Sequence, residues 1–123
     1  MVDSQYPSWA LNDLEAGDLL LADGDLREAS AKYWAAVSAS VKRMAARKGW
    51  ARGNTHDLLV AIAQLIEQTN QPDFRELFYQ AESLHAYSFG TAKPGEPPAN
   101  PERVRRYGKS CWELVRRLQP HMR

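Results

Sequence analysis

Apolar residues recur every three to four positions in five stretches of the chain, and no stretch shows the two-residue alternation of a half-buried strand, so the pattern predicts five α-helices and no sheet. The first runs from about Pro7 to Ala22, with Pro7 suited to a helical first turn and Ala10, Leu14, Gly17 and Leu21 on its inner line. It ends at Asp23-Gly24-Asp25, after which Asp25 and Glu28 make a capping-box-like start. The second helix, Leu26 to about Lys48, turns Leu26, Ala29, Tyr33, Val37, Val41 and Met44 inward. Ala31, Ala35, Ala36, Ser38, Ala39 and Ser40 cover much of its remaining surface, which permits close approach on several sides and marks it as central.

Thr55 is the expected cap of a third helix, whose Leu58, Leu59, Ile62, Leu65 and Ile66 form the cleanest apolar stripe of the chain. The fourth follows the break Thr69-Asn70-Gln71-Pro72 and buries Phe74, Leu77, Phe78, Ala81 and Leu84, with His85 and Ser88 continuing the stripe. Gly90 to Asn100 holds three prolines and two glycines and reads as a mobile or irregular loop. Asn100-Pro101 then opens a fifth helix with Val104, Tyr107, Gly108, Cys111, Leu114, Val115 and Leu118 inward, ended by Pro120. The expected architecture is all-α: an antiparallel four-helix core with one additional helix, in a single domain spanning residues 1–123.

Composition narrows the class. Hydrophobic residues make up 44% and charged residues 25% of the 123 positions, as in ordinary globular proteins. No apolar run approaches the roughly 18 to 20 residues needed to span a bilayer, and Met1-Val2-Asp3-Ser4 lacks the basic and apolar segments of a secretory leader, so a cytoplasmic protein with no membrane contact is expected. The single Cys111 rules out an intrachain disulfide and a multi-cysteine zinc site; on the apolar stripe it reads as a buried structural thiol.

Charge is unevenly spread although the net value is only +1. Residues 1–40 carry seven acidic and two basic side chains, whereas residues 101–123 carry two acidic and seven basic ones. Attraction between these ends, within a monomer or across a dimer, is the simpler reading. The sharper one offers Arg103, Arg105, Arg106 and Lys109, with Arg116 and Arg117, to a phosphate backbone.

Two histidines flank the break nearly symmetrically: His56 lies 14 residues before Asn70 and His85 lies 15 after it. A helical hairpin folded at Asn70 would bring both imidazoles to one end, where Trp50, Arg52, Asp57, Glu82 and Tyr87 complete a candidate ligand-binding surface. Glu82 and Asp57 could orient the rings; Arg52 precedes the positive end of the third helix, which favours anions; Trp50 could offer a stacking face or simply anchor the loop to the core. Taken alone, His85 reads as a core histidine with one partner. Neither His-Glu-x-x-His nor a cysteine motif is present, so no metal and no cofactor is expected.

The succession Gly24-Asp25, Glu28-Ala29-Ser30, Tyr33-Trp34, Val41-Lys42, Gly49-Trp50, Thr55-His56-Asp57-Leu58 and Ala81-Glu82-Ser83-Leu84-His85-Ala86 resembles the PaREP family of small archaeal and bacterial helical proteins over about residues 10–90. The resemblance implies a bundle similar to HEPN domains, the nucleotide-binding or RNA-cleaving modules often encoded beside nucleotidyltransferases. Where that family reads Asn-Phe-Tyr and then an acidic residue, this chain has Tyr87-Ser88-Phe89-Gly90. The arginine-to-histidine spacing of catalytic HEPN proteins is one residue longer than the interval from Arg52 to His56; Arg116 and His121 match it, with Pro120 between them. The expected function is therefore a non-catalytic HEPN-like module binding a nucleotide, RNA or a partner protein. The alternative is a metal-independent ribonuclease or phosphotransfer-associated enzyme using Arg52, His56 and His85. The small-residue faces of the second helix, with Trp9 and Trp34, suggest a homodimer.

Overall fold

A computed structural model describes residues 5–123; the Met1-Val2-Asp3-Ser4 start, read above for a leader, lies outside the described residues. Five helices follow one another: α1 (Ser8–Ala22), α2 (Leu26–Lys48), α3 (Thr55–Thr69), α4 (Phe74–Ser88) and α5 (Pro101–Leu118), closed by a 3-10 turn at Gln119–His121. No strand occurs among the described residues.

The helices begin and end where local chemistry dictates. Asp25 accepts a hydrogen bond from the Glu28 backbone N–H at 3.1 Å, and Asn100 accepts one from the Arg103 N–H at 2.7 Å with Pro101 in the first turn. At α3 the cap is Asn54, not Thr55: its side chain accepts from the Asp57 N–H at 2.9 Å, and Thr55 becomes the first helical residue. Adjacent Asn and Thr are both competent caps, and the extended backbone at Asn54 decides between them. Asn70 closes α3 in the left-handed region (φ 57°), which places the turn at the expected break.

α2 touches every other helix, as its small residues predict. α1, α2, α4 and α5 pack in a ring of four, whereas α3 rests on α2 and α4 alone and is therefore the additional helix. α2 and α4 run antiparallel, because Arg27 near the start of α2 donates to the Ser88 carbonyl at the end of α4 (3.1 Å) while Trp34 meets Phe78 and His85 further back. All seven inward positions expected for α5 are buried, Cys111 among them. Leu21, Leu26 and Leu77 are only half-buried at the margins of the same core.

Trp9 and Trp34 are not bare surface, which removes them as grounds for a dimer. Arg43 covers the Trp9 ring at 4.5 Å, and Trp34 is stacked within its own chain. The Gly90–Asn100 segment is irregular but pinned. Both Glu96 oxygens are engaged, one by the Ser83 hydroxyl and one by the Tyr107 hydroxyl at 3.0 Å each, and Tyr87 donates to the Pro97 carbonyl at 3.1 Å. Among the described residues no helix is long and apolar enough to cross a membrane.

Candidate functional site

The residues expected to form one site lie in two separately bonded groups. Trp50 and Arg52 belong to the loop leading into α3, and His56 and Asp57 to the first turn of α3. Lys48 sits over the Trp50 ring at 5.5 Å, Arg52 donates to the Trp50 carbonyl at 3.4 Å, and the Asp57 carboxylate accepts from the Gly53 N–H at 2.8 Å. Asp57 thus stabilises the loop that carries Arg52, while His56 and Arg52 remain exposed.

Glu82, His85 and Tyr87 belong to α4. The His85 ring stacks on Trp34, with centroids 4.5 Å apart and planes 10° from parallel, and Phe89 packs obliquely at 5.0 Å. Removal from water disfavours the imidazolium, so His85 titrates below the ordinary histidine range. Burial raises the Glu82 carboxyl, opposed by nearby Lys93, and Tyr87 turns toward the pinned loop. Among the described residues no hydrogen bond or ring contact joins His56 to His85, and no group of three or more His, Cys, Asp or Glu could hold a metal.

A cavity of about 360 Å³ opens where α2 begins and α4 ends, lined by Leu26, Arg27, Tyr87, Ala92, Glu96 and Pro98 among others. Its single guanidinium is matched by a single carboxylate. A second cavity, of about 340 Å³, has a different balance: Asp18, Leu21 and Ala22 of α1, Tyr33 of α2, and Arg105, Lys109 and Trp112 of α5 line it. At its floor the Tyr33 hydroxyl donates to Asp18 at 2.5 Å, and the Trp112 indole N–H donates to the same Asp18 oxygen at 3.2 Å. Burial and the Asp18 carboxylate push the Tyr33 phenol far up, so it stays a neutral donor. Of the basic residues expected to meet phosphate, Arg105 and Lys109 face this cavity, whereas Arg103 and Arg106 line a separate hollow with Asn100 and Glu102. Arg117 is instead consumed inside the chain by Asp73, Gln71 and Glu113.

The sequence reading did not assemble Asp18, Tyr33 and Trp112, because 94 residues separate Asp18 from Trp112. A signal was present: Gly17 and Gly108 each interrupt an apolar helical stripe, and an internal glycine at such a position marks close approach by another element. That element is the Tyr33 ring.

The family model of the archaeal PaREP1/PaREP8 family matches residues 5–115. The crystal structure of a protein from Sulfolobus solfataricus superposes with a TM-score of 0.74 at 22% identity, covering 92% of this chain and 95% of that one. It shares the fold. No curated protein matches the chain.

Proposed function

The chain belongs to the archaeal PaREP1/PaREP8 family, and from that premise we propose that it is a non-catalytic, HEPN-like binding module of the cytoplasm whose ligand is RNA, held along the basic face of α5. The observation that carries this reading is the state of the α5 charges. Arg105, Arg106 and Lys109 are exposed, and the ion pairs found among the described residues all belong to Arg117. Cations left without an acidic partner over one turn of a helix form an electrostatic footprint for phosphates. Exposed Arg52, on the loop before α3, and exposed His56, in its first turn, supply a second contact.

A binding role is favoured over the ribonuclease because His85 is engaged by Trp34 and Phe89 and has no bond to Arg52 or His56, so the three side chains lack the mutual contacts of an acid–base site. The test is fluorescence anisotropy of a single-stranded oligoribonucleotide against salt. Affinity should fall with a log–log slope of about 0.7 per neutralised phosphate, and R103Q/R106Q should lower that slope. Salt-independent binding, or cleavage of the RNA abolished by His56→Ala, overturns the proposal.

A further inference from the structure

The α1/α2/α5 cavity differs from the cavity at the start of α2 in how its charges are disposed. Asp18 lies beside two cations, yet one of its oxygens is occupied by the neutral donors Tyr33 and Trp112, and it forms an ion pair with neither Arg105 nor Lys109. Asp18 keeps its negative charge, so the lining carries two cations against one anion, a net charge of +1, and among the described residues neither Arg105 nor Lys109 is occupied by a direct ion pair. Their spacing along α5 is one helical turn, so the two charges project on the same side and can close on a single anion.

The remaining walls are of another character. Leu21 and Ala22 supply apolar surface, and the Trp112 indole, in a T-shaped contact with Tyr6 at 5.2 Å, supplies an aromatic ring. The floor is rigid, because the Tyr33 ring lies between the backbones of Gly17 and Gly108 and cannot shift toward either. A ligand complementary to all of this has a dianionic group for Arg105 and Lys109, a hydroxyl-bearing middle for the second Asp18 oxygen, and a planar apolar part for Trp112 and Leu21. The volume of about 340 Å³ lies within the range of small-molecule sites.

We propose that the cavity between α1, α2 and α5 binds a nucleoside bearing a terminal phosphomonoester: the phosphate between Arg105 and Lys109, the ribose hydroxyls on Asp18, the base against Trp112. The inference rests on the phosphate-binding reading of α5 and deepens it. A free mononucleotide and the phosphorylated 5′ end of an RNA strand present the same chemistry.

The test is calorimetric titration of the full chain with adenosine 5′-monophosphate, alongside adenosine, inorganic phosphate, and one oligoribonucleotide with either a 5′-phosphate or a 5′-hydroxyl. The mononucleotide should bind at least tenfold more tightly than adenosine or phosphate, R105Q/K109Q should weaken it at least tenfold, and Arg75→Gln, exposed on α4, should leave it unchanged. Trp112→Phe should weaken it too, through lost ring area and release of Asp18. A preference for the 5′-phosphorylated strand over the mononucleotide assigns the cavity to RNA ends; the reverse assigns it to free nucleotides. No mononucleotide binding at millimolar concentration together with equal affinity for the two strands overturns the cavity proposal, as does binding indifferent to R105Q/K109Q. Salt-sensitive binding of the 5′-hydroxyl strand would then leave the broader RNA reading standing, and its absence would fell that reading separately.

Discussion

Gly17 and Gly108 face each other across one aromatic ring: a Cβ on Gly17 would lie 2.6 Å from the Tyr33 ring, and a Cβ on Gly108 would lie 2.7 Å from its other edge. α1 and α5 can therefore both approach α2 only because neither carries a side chain at the contact. Gly108→Ala should destabilise the chain by about 1–3 kcal/mol, the usual range for overpacking, since the ring is blocked from moving the other way. Denaturant unfolding checks this. In the Tyr33→Leu background the same substitution should have a much smaller effect, and strict additivity of the two would show that the ring is not what the methyl meets.

Cys111 is fully buried on the inner stripe of α5, and desolvation raises its thiol far above the ordinary range. A thiol-reactive dye should modify it only at the rate of global unfolding, reaching full reaction at once in denaturant. Rapid labelling of the native chain would contradict its burial.

What could be read from the chain alone follows from how local each cause is. The α5 stripe was legible in full, because Asn100-Pro101 and seven apolar positions are contiguous information. The α2 start was legible for the same reason, with Asp25 and Glu28 three residues apart. Partnerships between helices were not. Asp73 looks like a first-turn acid of α4, yet it makes no side-chain cap and binds Arg117 of α5 instead. His85 was legible as a member of the α4 stripe, but its stack on Trp34 depends on the rotation of α2 against α4, which no spacing within either helix encodes. The cavity on Asp18 was hidden similarly, with only its two glycines as local traces.

The homodimer is proposed on different ground from Trp9 and Trp34. Leu19 on α1 and Phe89 at the end of α4 are 70% and 65% exposed, apolar surface that a second copy of the chain would cover. Sedimentation at micromolar concentration should report a dimer, and Leu19→Glu or Phe89→Glu should shift it toward monomer. A wild-type monomer at that concentration removes the proposal.

The Trp34–His85 stack sets a pH dependence whose sign can be worked out. An ordinary imidazole titrates near 6.5, and desolvation against Trp34 lowers that value in the folded chain. Between the two values the unfolded chain holds a proton that the folded chain does not, so stability rises with pH there and is lost as pH falls below about 6.5 toward the folded value. Below the folded value both states are protonated and the loss stops growing. His85→Phe keeps a ring against Trp34 and removes the titration. The difference in Tm between His85→Phe and wild type should be flat above pH 7 and should grow in favour of the variant on acidification. His121, also lowered chiefly by desolvation, contributes with the same sign but is present in both proteins and cancels in the difference. A difference that stays constant from pH 8 to pH 5 would mean that His85 carries no proton-linked share of stability, and that the stack tolerates the charged ring as well as the neutral one.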